Sequence, residues 1–307
     1  MKKSTKVVAG TLVAALAIGG GLGMAACHQH AYDHDFDTLC DCGYEREIEN
    51  LDTWDGEIGL TPIDFDGDIF ISSAEQLASL AREVSEGNDF EGCTISLTCN
   101  IDLQNKEWTP IGYGSSHYSG VVEAGKPFKG TFDGQGHTIA NLNISQFYLG
   151  GIEGGASSGV ALFGHVFGAT IKNLNVVGAN VVGNHYVAVI TGHAVNSHIE
   201  NCHVYNANVN SVYDNDDESG DKAGVISAHI AKGIYEGDSA SVKNCSATDC
   251  TVKADRDAGQ IIGCLSNGAQ STGNIANNVV VSWNESGSTQ GKSNTNIKNE
   301  IYGRLHN

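Results

Sequence analysis

Three histidines and one cysteine recur at the same position of a short repeated segment, and these residue types at this spacing could do chemistry. The four copies are LFGHV (162–166), ITGHA (190–194), ISAHI (226–230) and IIGCL (261–265). The recurring residues are His165, His193, His229 and Cys264. If strands stack in register, these side chains form one outward-facing column, because the small residue before each of them is predicted to point inward. Stacked imidazoles could bind a soft metal ion or respond to pH, and an outward position without a chemical role is the alternative.

Two acidic segments offer oxygen ligands for calcium. DFDGD covers residues 64–68 and DNDDESGD covers residues 214–221. Neither segment has the twelve-residue spacing of an EF-hand loop, so solvated acidic loops are the alternative. Calcium stays an open alternative, and the pattern requires no cofactor.

Two further groups could act as acids and bases. Asp255, Arg256 and Asp257 form a charged patch that a glycan lyase or hydrolase could use, but the adjacent repeat supplies no second carboxylate. Asp133 and His137 occur in DGQGHT, where Asp-Gly and Gln-Gly are turn dipeptides. No H-E-x-x-H, P-loop, dinucleotide or G-x-S-x-G motif occurs in the chain. The motifs therefore assign no catalytic residue.

The segment CHQHAYDHDFDTLCDCGYERE concentrates histidine and cysteine near the start of the chain. His30, Cys40 and Cys42 could supply soft ligands for zinc. The C-x-C spacing departs from the familiar C-x-x-C, and a flexible tether is the alternative. We assign residues 27–68 to a surface tether. A small Cys/His knot within it is the alternative that the sequence leaves open.

The first 26 residues have the layout of a bacterial export signal. MKKSTK is followed by the glycine-broken apolar stretch VVAGTLVAALAIGGGLGM, which is not a convincing permanent membrane span. GMAAC then resembles a lipobox, at which Cys27 would become the lipidated N-terminus, although Met24 replaces the usual Leu. Ordinary cleavage nearby is the alternative. We expect an exported protein at the cell surface, lipid-anchored to the membrane or secreted.

Composition restricts the partners of the chain. Its formal net charge of −19 repels nucleic acid and anionic lipid, so a membrane contact is expected only through the N-terminal lipid. Glycine is abundant at 39 residues and proline scarce at 3, which favours many tight turns. The odd number of cysteines after the signal, at irregular spacings, predicts mostly free, buried thiols.

One template, apolar-x-Asn-x-x-apolar, recurs in TIANLNI (138–144), TIKNLNV (170–176), HIENCHV (198–204), SVKNCSA (241–247) and NIANNVV (274–280). With the LFGHV-type segment before it and a third short strand after it, each repeat of about thirty residues supplies three strands. A single repeat cannot bury its apolar face, so Ile171 is expected to stack between Ile139 and Ile199. The pattern predicts an all-β fold, a right-handed parallel β-helix.

The asparagines of the template are expected to form one structural ladder of hydrogen bonds that also holds a bend in the backbone. The ladder residues are Asn141, Asn173, Asn201, Asn244 and Asn277.

An N-terminal capping α-helix is predicted at about residues 72–86, from SSAEQLASLAREVSEG. Ser72 or Ser73 begins the helix, an apolar stripe follows, and Gly87 ends it. This helix is expected to cover the first coil of the β-helix, residues 69–283, while residues 284–307 form a C-terminal cap or tail.

The passage ALFGHVFGATIKNLNVVGANVVG resembles the GLUG-type repeats of bacterial surface proteins, including the IgA-specific metallopeptidase group. FKGTFDGQGHTIANLNI and ISSAEQLASLAREV resemble the opening of such proteins, and the likeness covers roughly residues 69–283. The resemblance implies surface display in a stalk or binding role, and it transfers no catalytic residue. We expect a monomeric, non-catalytic adhesin or spacer for host or cell-surface glycan or protein. A β-helix polysaccharide lyase or glycoside hydrolase is the alternative.

Overall fold

The computed structural model describes residues 31–59 (except 33, 35 and 41), 68–116, 122–145, 159–212, 222–283, 296–297 and 300–306. The chain divides into two compact units, residues 1–50 and residues 51–307. In the first unit the described residues form a tight turn, with an isolated antiparallel bridge between Leu39 and Glu45. No helix in the described part of the chain is both long and apolar enough to cross a membrane.

The second unit is mostly β, with five parallel sheets whose strands come from successive repeats. Sheet 1 contains strands Ile69–Ile71, Thr94–Leu97, Thr131–Asp133, Thr170–Lys172, His198–Glu200, Ser241–Lys243 and Gln270–Thr272. Sheet 2 contains strands Leu51–Thr53, Asn100–Asp102, Thr138–Ala140, Asn175–Val177, His203–Tyr205, Ser246–Thr248 and Ile275–Asn277. Sheet 3 contains strands Asn143–Ile144, Asn180–Gly183, Asn208–Ser211, Thr251–Ala254 and Val280–Trp283.

Two more sheets complete each full repeat, so the prediction of three strands per repeat is wrong and the number is five. The bend at the asparagine divides the Asn template between two successive sheets, and the two-residue strands of sheet 4 are too short to show a period. Sheet 4 contains strands Gly159–Val160, Tyr186–Val187, Lys222–Ala223, Asp257–Ala258 and Asn296–Ile297. Sheet 5 contains strands Phe163–Phe167, Thr191–Val195, Ser227–Ala231, Ile262–Ser266 and Tyr302–His306. An antiparallel hairpin, Tyr113–Ser116 with Val122–Lys126, interrupts the chain just before the sheet 1 strand Thr131–Asp133. From Thr131 onward the chain visits sheets 1 to 5 in order and then returns to sheet 1, an arrangement consistent with an all-β solenoid.

The core consists of apolar side chains stacked in register. Ile171 pairs with Ile199, and Ile199 pairs with Val242, and all three are fully buried. Because each short strand bonds to its neighbours in the repeats before and after it, no strand could be stable alone. The prediction that near-identical segments lie over one another is confirmed for these three residues.

The prediction that Ile139 lies in the same column is wrong. Phe132 pairs with Ile171 in sheet 1, whereas Ile139 pairs with Val176 in sheet 2. Ile275 likewise belongs to sheet 2, where it pairs with Ser246. The first and last copies of the template therefore occupy the next sheet along the chain. Two successive corners both need an apolar strand followed by a residue of left-handed backbone conformation, so their sequences are alike.

The predicted helix is confirmed at Ala74–Glu86. The Ser73 hydroxyl accepts a hydrogen bond from the Gln76 backbone N–H, and Gly87 ends the helix with a φ of 113°. The Leu77, Leu80 and Val84 side chains are fully buried in the core that also contains Ile71 and Ile95. The helix thus adds its apolar face to the start of the stack.

Candidate functional site

Sheets 4 and 5 approach each other backbone to backbone, and this close approach creates the site. The chain turns from a sheet 4 strand into a sheet 5 strand within two to four residues, as at residues 161–162 and 188–190. A Cβ atom added at Gly192 would lie 2.4 Å from the Cα atom of Gly159. At Gly192 the absence of a Cβ atom lets the two backbones lie this close, whereas Ala228 occupies the equivalent position of the next repeat.

Three histidines of sheet 5 lie in one column across successive repeats. His165 pairs with His193 and His193 with His229, and their exposed fractions are 0%, 3% and 3%. The rings of His165 and His193 are 5.0 Å apart between centroids and within 8° of parallel, and those of His193 and His229 are 4.9 Å apart. Cys264 continues the column and is also buried. The sequence therefore placed these four residues in one column correctly.

A second column, from sheet 4, covers the histidines. Tyr186 pairs with Lys222, and Lys222 pairs with Asp257. The Tyr186 ring stacks on the His193 ring at 4.9 Å and on the His229 ring at 5.6 Å between centroids. The Lys222 ammonium lies 4.8 Å from the centroid of the Tyr186 ring, within cation–π range. We call the histidine column and this second column together the polar seam.

The far end of the polar seam is charged. Asp257 is fully buried, and its Oδ2 atom lies 3.5 Å from an Arg304 guanidinium nitrogen. Arg304 itself pairs with Cys264 in sheet 5. The His229 Nε2 atom is within hydrogen-bond distance of the Ser266 hydroxyl, at 2.9 Å. The buried Lys222 and Asp257 and the partly exposed Arg304 thus bring both signs of charge to this end of the seam.

Burial lowers the basicity of the seam. Desolvation lowers the pKa of His165 to about 4, slightly offset by the backbone of Tyr113. Desolvation also holds the pKa of His193 well below its ordinary value, and positive charge on His229, His165 and Lys222 acts in the same direction. The pKa of the Lys222 ammonium is lowered by burial, against the charges of Cys264 and Asp257. The imidazoles of His165 and His193 are therefore neutral at pH 7.

The geometry of the seam argues against metal binding by the histidine column. Rings stacked face to face direct their nitrogens along parallel edges and not toward one shared point. Among the described residues no group of three or more His, Cys, Asp or Glu side chains is placed to hold a metal ion. The side chains do face away from the core residue Val166, as expected, but sheet 4 covers them. An interaction through stacked rings fits this column better than metal ligation does.

The other predicted metal ligands are only partly within the described residues. Cys27, His30 and the acidic segments 64–67 and 214–221 lie outside them. The Cys40 and Cys42 sulfur atoms are 2.9 Å apart, and the Cys42 backbone N–H donates to the Cys40 sulfur at 3.4 Å. These two thiols therefore stand together on one turn.

The predicted asparagine ladder divides between two corners. Asn173, Asn201 and Asn244 follow sheet 1, each with φ of 52–53°, and the Asn201 amide donates to Asn173 Oδ1 at 2.9 Å. Asn141 follows sheet 2, where its amide donates to Asp102. Asn277 lies inside a sheet 2 strand, so its placement in the ladder is wrong. Asn278, beside it, is the residue with positive φ.

Sequence reasoning missed a ladder at the start of sheet 3. The Asn180 amide donates to Asn143 Oδ1 at 3.0 Å, and the Asn208 amide donates to Asn180 Oδ1 at 2.8 Å. Thr251 continues this ladder with a bond to Asn208 at 2.9 Å. The signal was present in GANVVG and NANVNS, where an asparagine opens the third strand of the repeat.

The remaining candidates are structural. Asp133 accepts hydrogen bonds from the Gln135 backbone and the Asn173 amide and pairs with Lys172, so it holds a turn, as predicted. Asp255 and Asp257 do not form an exposed patch, since both are at most 2% exposed. Among the described cysteines all are free and most are buried, as expected.

Comparisons with known proteins place the chain only broadly. No protein-family model matches the sequence, and no curated protein matches it. A crystal structure of a "putative immunoglobulin A1 protease" from Bacteroides ovatus is similar over 63% of this chain, at 18% sequence identity and a TM-score of 0.39. The match covers 56% of that structure, so the chain spans little more than half of its length. A likeness of this degree assigns no activity to the chain.

Proposed function

We propose that this chain is an exported, non-catalytic surface protein of the GLUG-repeat type, an adhesin or spacer that presents loops from a right-handed parallel β-helix. Parallel strands joined by crossover connections are right-handed in almost all proteins, which supports the handedness. The export signal and Cys27 support display at the cell surface through a lipid anchor. The ligands in this proposal are host or cell-surface glycans or proteins.

The observation that carries the proposal is where the long connections lie. In the first, third and fifth repeats the strands of sheets 3 and 4 are separated in sequence by residues 145–158, 212–221 and 284–295, nearly all of which lie outside the described residues. The second and fourth repeats join the same two sheets with only residues 184–185 and 255–256. We call the three long segments the corner connections. Since two residues are enough to close this corner, the additional ten or so residues serve something other than the fold.

The three corner connections also differ from one another in chemistry. SQFYLGGIEGGASS is aromatic and glycine-rich, VYDNDDESGD is acidic, and NESGSTQGKSNT is polar. Stack residues at equivalent positions are similar because each must fit its neighbours. Long connections of differing chemistry on a repetitive stack are typical of binding loops on a rigid support.

Replacement of single corner connections tests the proposal. In each variant one connection is exchanged for Asn-His, the dipeptide that joins the same sheets at residues 184–185. Each variant and the wild-type ectodomain are applied to a glycan array and to host-cell lysate proteins on a membrane. We expect unchanged far-ultraviolet circular dichroism and loss of binding in at least one variant. Binding equal to wild type in all three variants would overturn the proposal.

A matched control keeps every connection and removes an exposed charge elsewhere. The Lys243→Ala variant is suitable because this side chain lies on sheet 1, 38% exposed, and its nearest ionic partner is 3.9 Å away on Glu200. Binding by this variant should equal that of wild type. A loss of binding would show that general charge, and not the corner, carries recognition.

A second candidate function is polysaccharide cleavage, and one observation favours it. Tyr186, Lys222, Asp257 and Arg304 bring an aromatic ring, two cations and a carboxylate together from adjacent repeats. Such a set is typical of β-helix lyases and hydrolases. Its burial argues against it, since Lys222 and Asp257 are only 3% and 0% exposed. Release of reducing or unsaturated sugar ends by wild type, abolished in Lys222→Met, would establish this second function and overturn the first.

A further inference from the structure

Besides the three corner connections, another long connection leaves the stack, and it lies wholly within the described residues. It joins the sheet 5 strand Ser227–Ala231 to the sheet 1 strand Ser241–Lys243 and covers residues 232–240. The same corner is closed by residues 168–169, 196–197 and 267–269 in the other repeats. We call residues 232–240 the side excursion.

The backbone of the side excursion is held by hydrogen bonds at its start and within its turn. The Gly233 N–H donates to Asn196 Oδ1 at 2.6 Å, which joins the excursion to the preceding repeat. The Tyr235 N–H donates to Asp238 Oδ2 at 2.8 Å, and the Asp238 N–H donates to the Tyr235 carbonyl at 3.1 Å. These reciprocal bonds fix a tight turn from Tyr235 to Asp238, and Ile234 directly precedes it. A ligand that binds there would not have to order the loop.

Two large apolar side chains project from this turn into solvent. Ile234 is 63% exposed and Tyr235 is 58% exposed. Neither contributes to the core, so the stack does not explain why they are apolar. The polar groups beside them are ordered, because the Ser239 hydroxyl lies 3.3 Å from His198 Nε2, while His198 Nδ1 lies 2.8 Å from the Ser241 hydroxyl. An exposed aromatic side chain and ordered hydrogen-bonding groups therefore belong to the same short segment.

Charge and size restrict what such a surface binds. The chain carries a formal charge of −19, and on the excursion itself Glu236 and Asp238 outnumber the single cation Lys232, so an anionic partner would be repelled. A stable protein partner needs about 800 Å² of surface on each side, far more than two side chains provide. A sugar ring fits the remaining conditions. Its axial C–H groups contact the negative face of an aromatic ring, and its hydroxyls bond to carboxylate and hydroxyl groups at the edge.

We propose that the side excursion is a carbohydrate-binding site in which the Tyr235 ring stacks on a neutral pyranose while Asp238 and Ser239 bond to its hydroxyls. This inference rests on the proposed function and names a ligand class and a second surface for it. Ile234 extends the apolar platform beside the ring.

The experiment uses an array of immobilised neutral hexasaccharides of glucose, mannose, galactose, xylose and N-acetylglucosamine. The labelled ectodomain is applied as wild type and as Tyr235→Ala, Tyr235→Phe and Phe70→Ala. Phe70 is the matched control, because it is 63% exposed on a sheet 1 strand far from the excursion in sequence. Unchanged unfolding temperatures are expected for all variants, since both side chains are exposed.

We expect wild type to bind at least one of these sugars. Tyr235→Ala should weaken binding at least about tenfold, equivalent to roughly 1.4 kcal/mol, whereas Tyr235→Phe and Phe70→Ala stay within about threefold of wild type. No binding to any neutral sugar, or equal binding by Tyr235→Ala, overturns the inference.

The corner-connection variants separate this inference from the proposed function. Sugar binding lost in Tyr235→Ala but kept in all three corner variants supports the side excursion and removes the corner connections as the binding surface. Binding lost in a corner variant but kept in Tyr235→Ala supports the corner connections and overturns the side excursion.

Discussion

The imidazole rings of His165 and His193 stack face to face, 5.0 Å apart between centroids, although one repeat of the chain separates them. Both rings are buried, and each is neutral at pH 7 because burial disfavours its charged form. Protonation of either ring would place a buried charge beside the other ring. The stability of the stack therefore depends on pH.

Acidification should destabilise the protein in a defined window. The pKa of His165 is lowered by folding from 6.5 to about 4, so the unfolded chain takes up the proton first as the pH falls. The contribution of this residue is complete above pH 6.5 and is lost between pH 6.5 and about 4, amounting to roughly 3 kcal/mol. Folding also lowers the pKa of His193, so this residue adds to the loss of stability at low pH. Urea unfolding at pH 7.5, 6, 5 and 4.5 measures the loss.

The His165→Phe variant is the control for this prediction, because it keeps a ring in the stack and cannot be protonated. Its free energy of unfolding should fall less steeply between pH 6.5 and 4.5 than that of wild type. Parallel curves for the two proteins would show that His165 does not titrate in this window.

Substitution of Asn173 should separate the energetic cost of a left-handed backbone conformation from the cost of losing side-chain hydrogen bonds. Asn173 has a φ of 53°, donates to Asp133 at 2.9 Å and accepts from Asn201 at 2.9 Å. Asn173→Gly removes the side-chain bonds only, whereas Asn173→Ala also adds the cost of left-handed backbone, about 1–2 kcal/mol. Gly273 already occupies the same corner, with a φ of 68°. Denaturant unfolding should rank wild type above Gly and Gly above Ala, and an Ala variant as stable as Gly would contradict this.

Gly192→Ala should destabilise the contact between sheets 4 and 5. The added Cβ would lie 2.4 Å from the Cα atom and 2.7 Å from the carbonyl carbon of Gly159, so backbone must move. Overpacking of this kind costs about 1–3 kcal/mol. Gly59→Ala is the control, since its nearest atoms are 3.2 Å away and its effect should be smaller. Thermal unfolding that ranks the two variants in the opposite order would show that the sheets are not in this close contact.

Cysteine labelling should follow burial. Desolvation raises the pKa of Cys99 and of Cys250 to about 11, so at pH 7.5 roughly one thiol in 3,000 is ionised at each. Cys42 is exposed and should react with N-ethylmaleimide in the native protein. Peptide mass spectrometry before and after urea should find Cys99 and Cys250 modified only after unfolding. Native labelling of Cys250 would contradict its place in the core.

The amino-acid sequence by itself determined the helix and the repetition of short strands, although it indicated three strands per repeat where the structure has five. The helix Ala74–Glu86 and the stacked column of Ile171, Ile199 and Val242 follow from local patterns, namely a capping serine, a 3.6-residue stripe and a period of two. These features depend on neighbours along the chain or on the next repeat, and both are visible in the sequence. The column of His165, His193 and His229 was predictable for the same reason.

Only the tertiary structure decided which similar segments share a sheet and what covers each face. Asn141 and Asn173 end near-identical segments but lie at different corners. Both corners require a residue of left-handed backbone conformation, so the local sequence indicates such a corner but not which of the two it is. His193 and His229 are buried although they face outward, because the Tyr186 ring of the adjacent sheet stacks on both of them. Alternation along a strand specifies two faces, and it carries no information about whether water or another sheet lies against the second face.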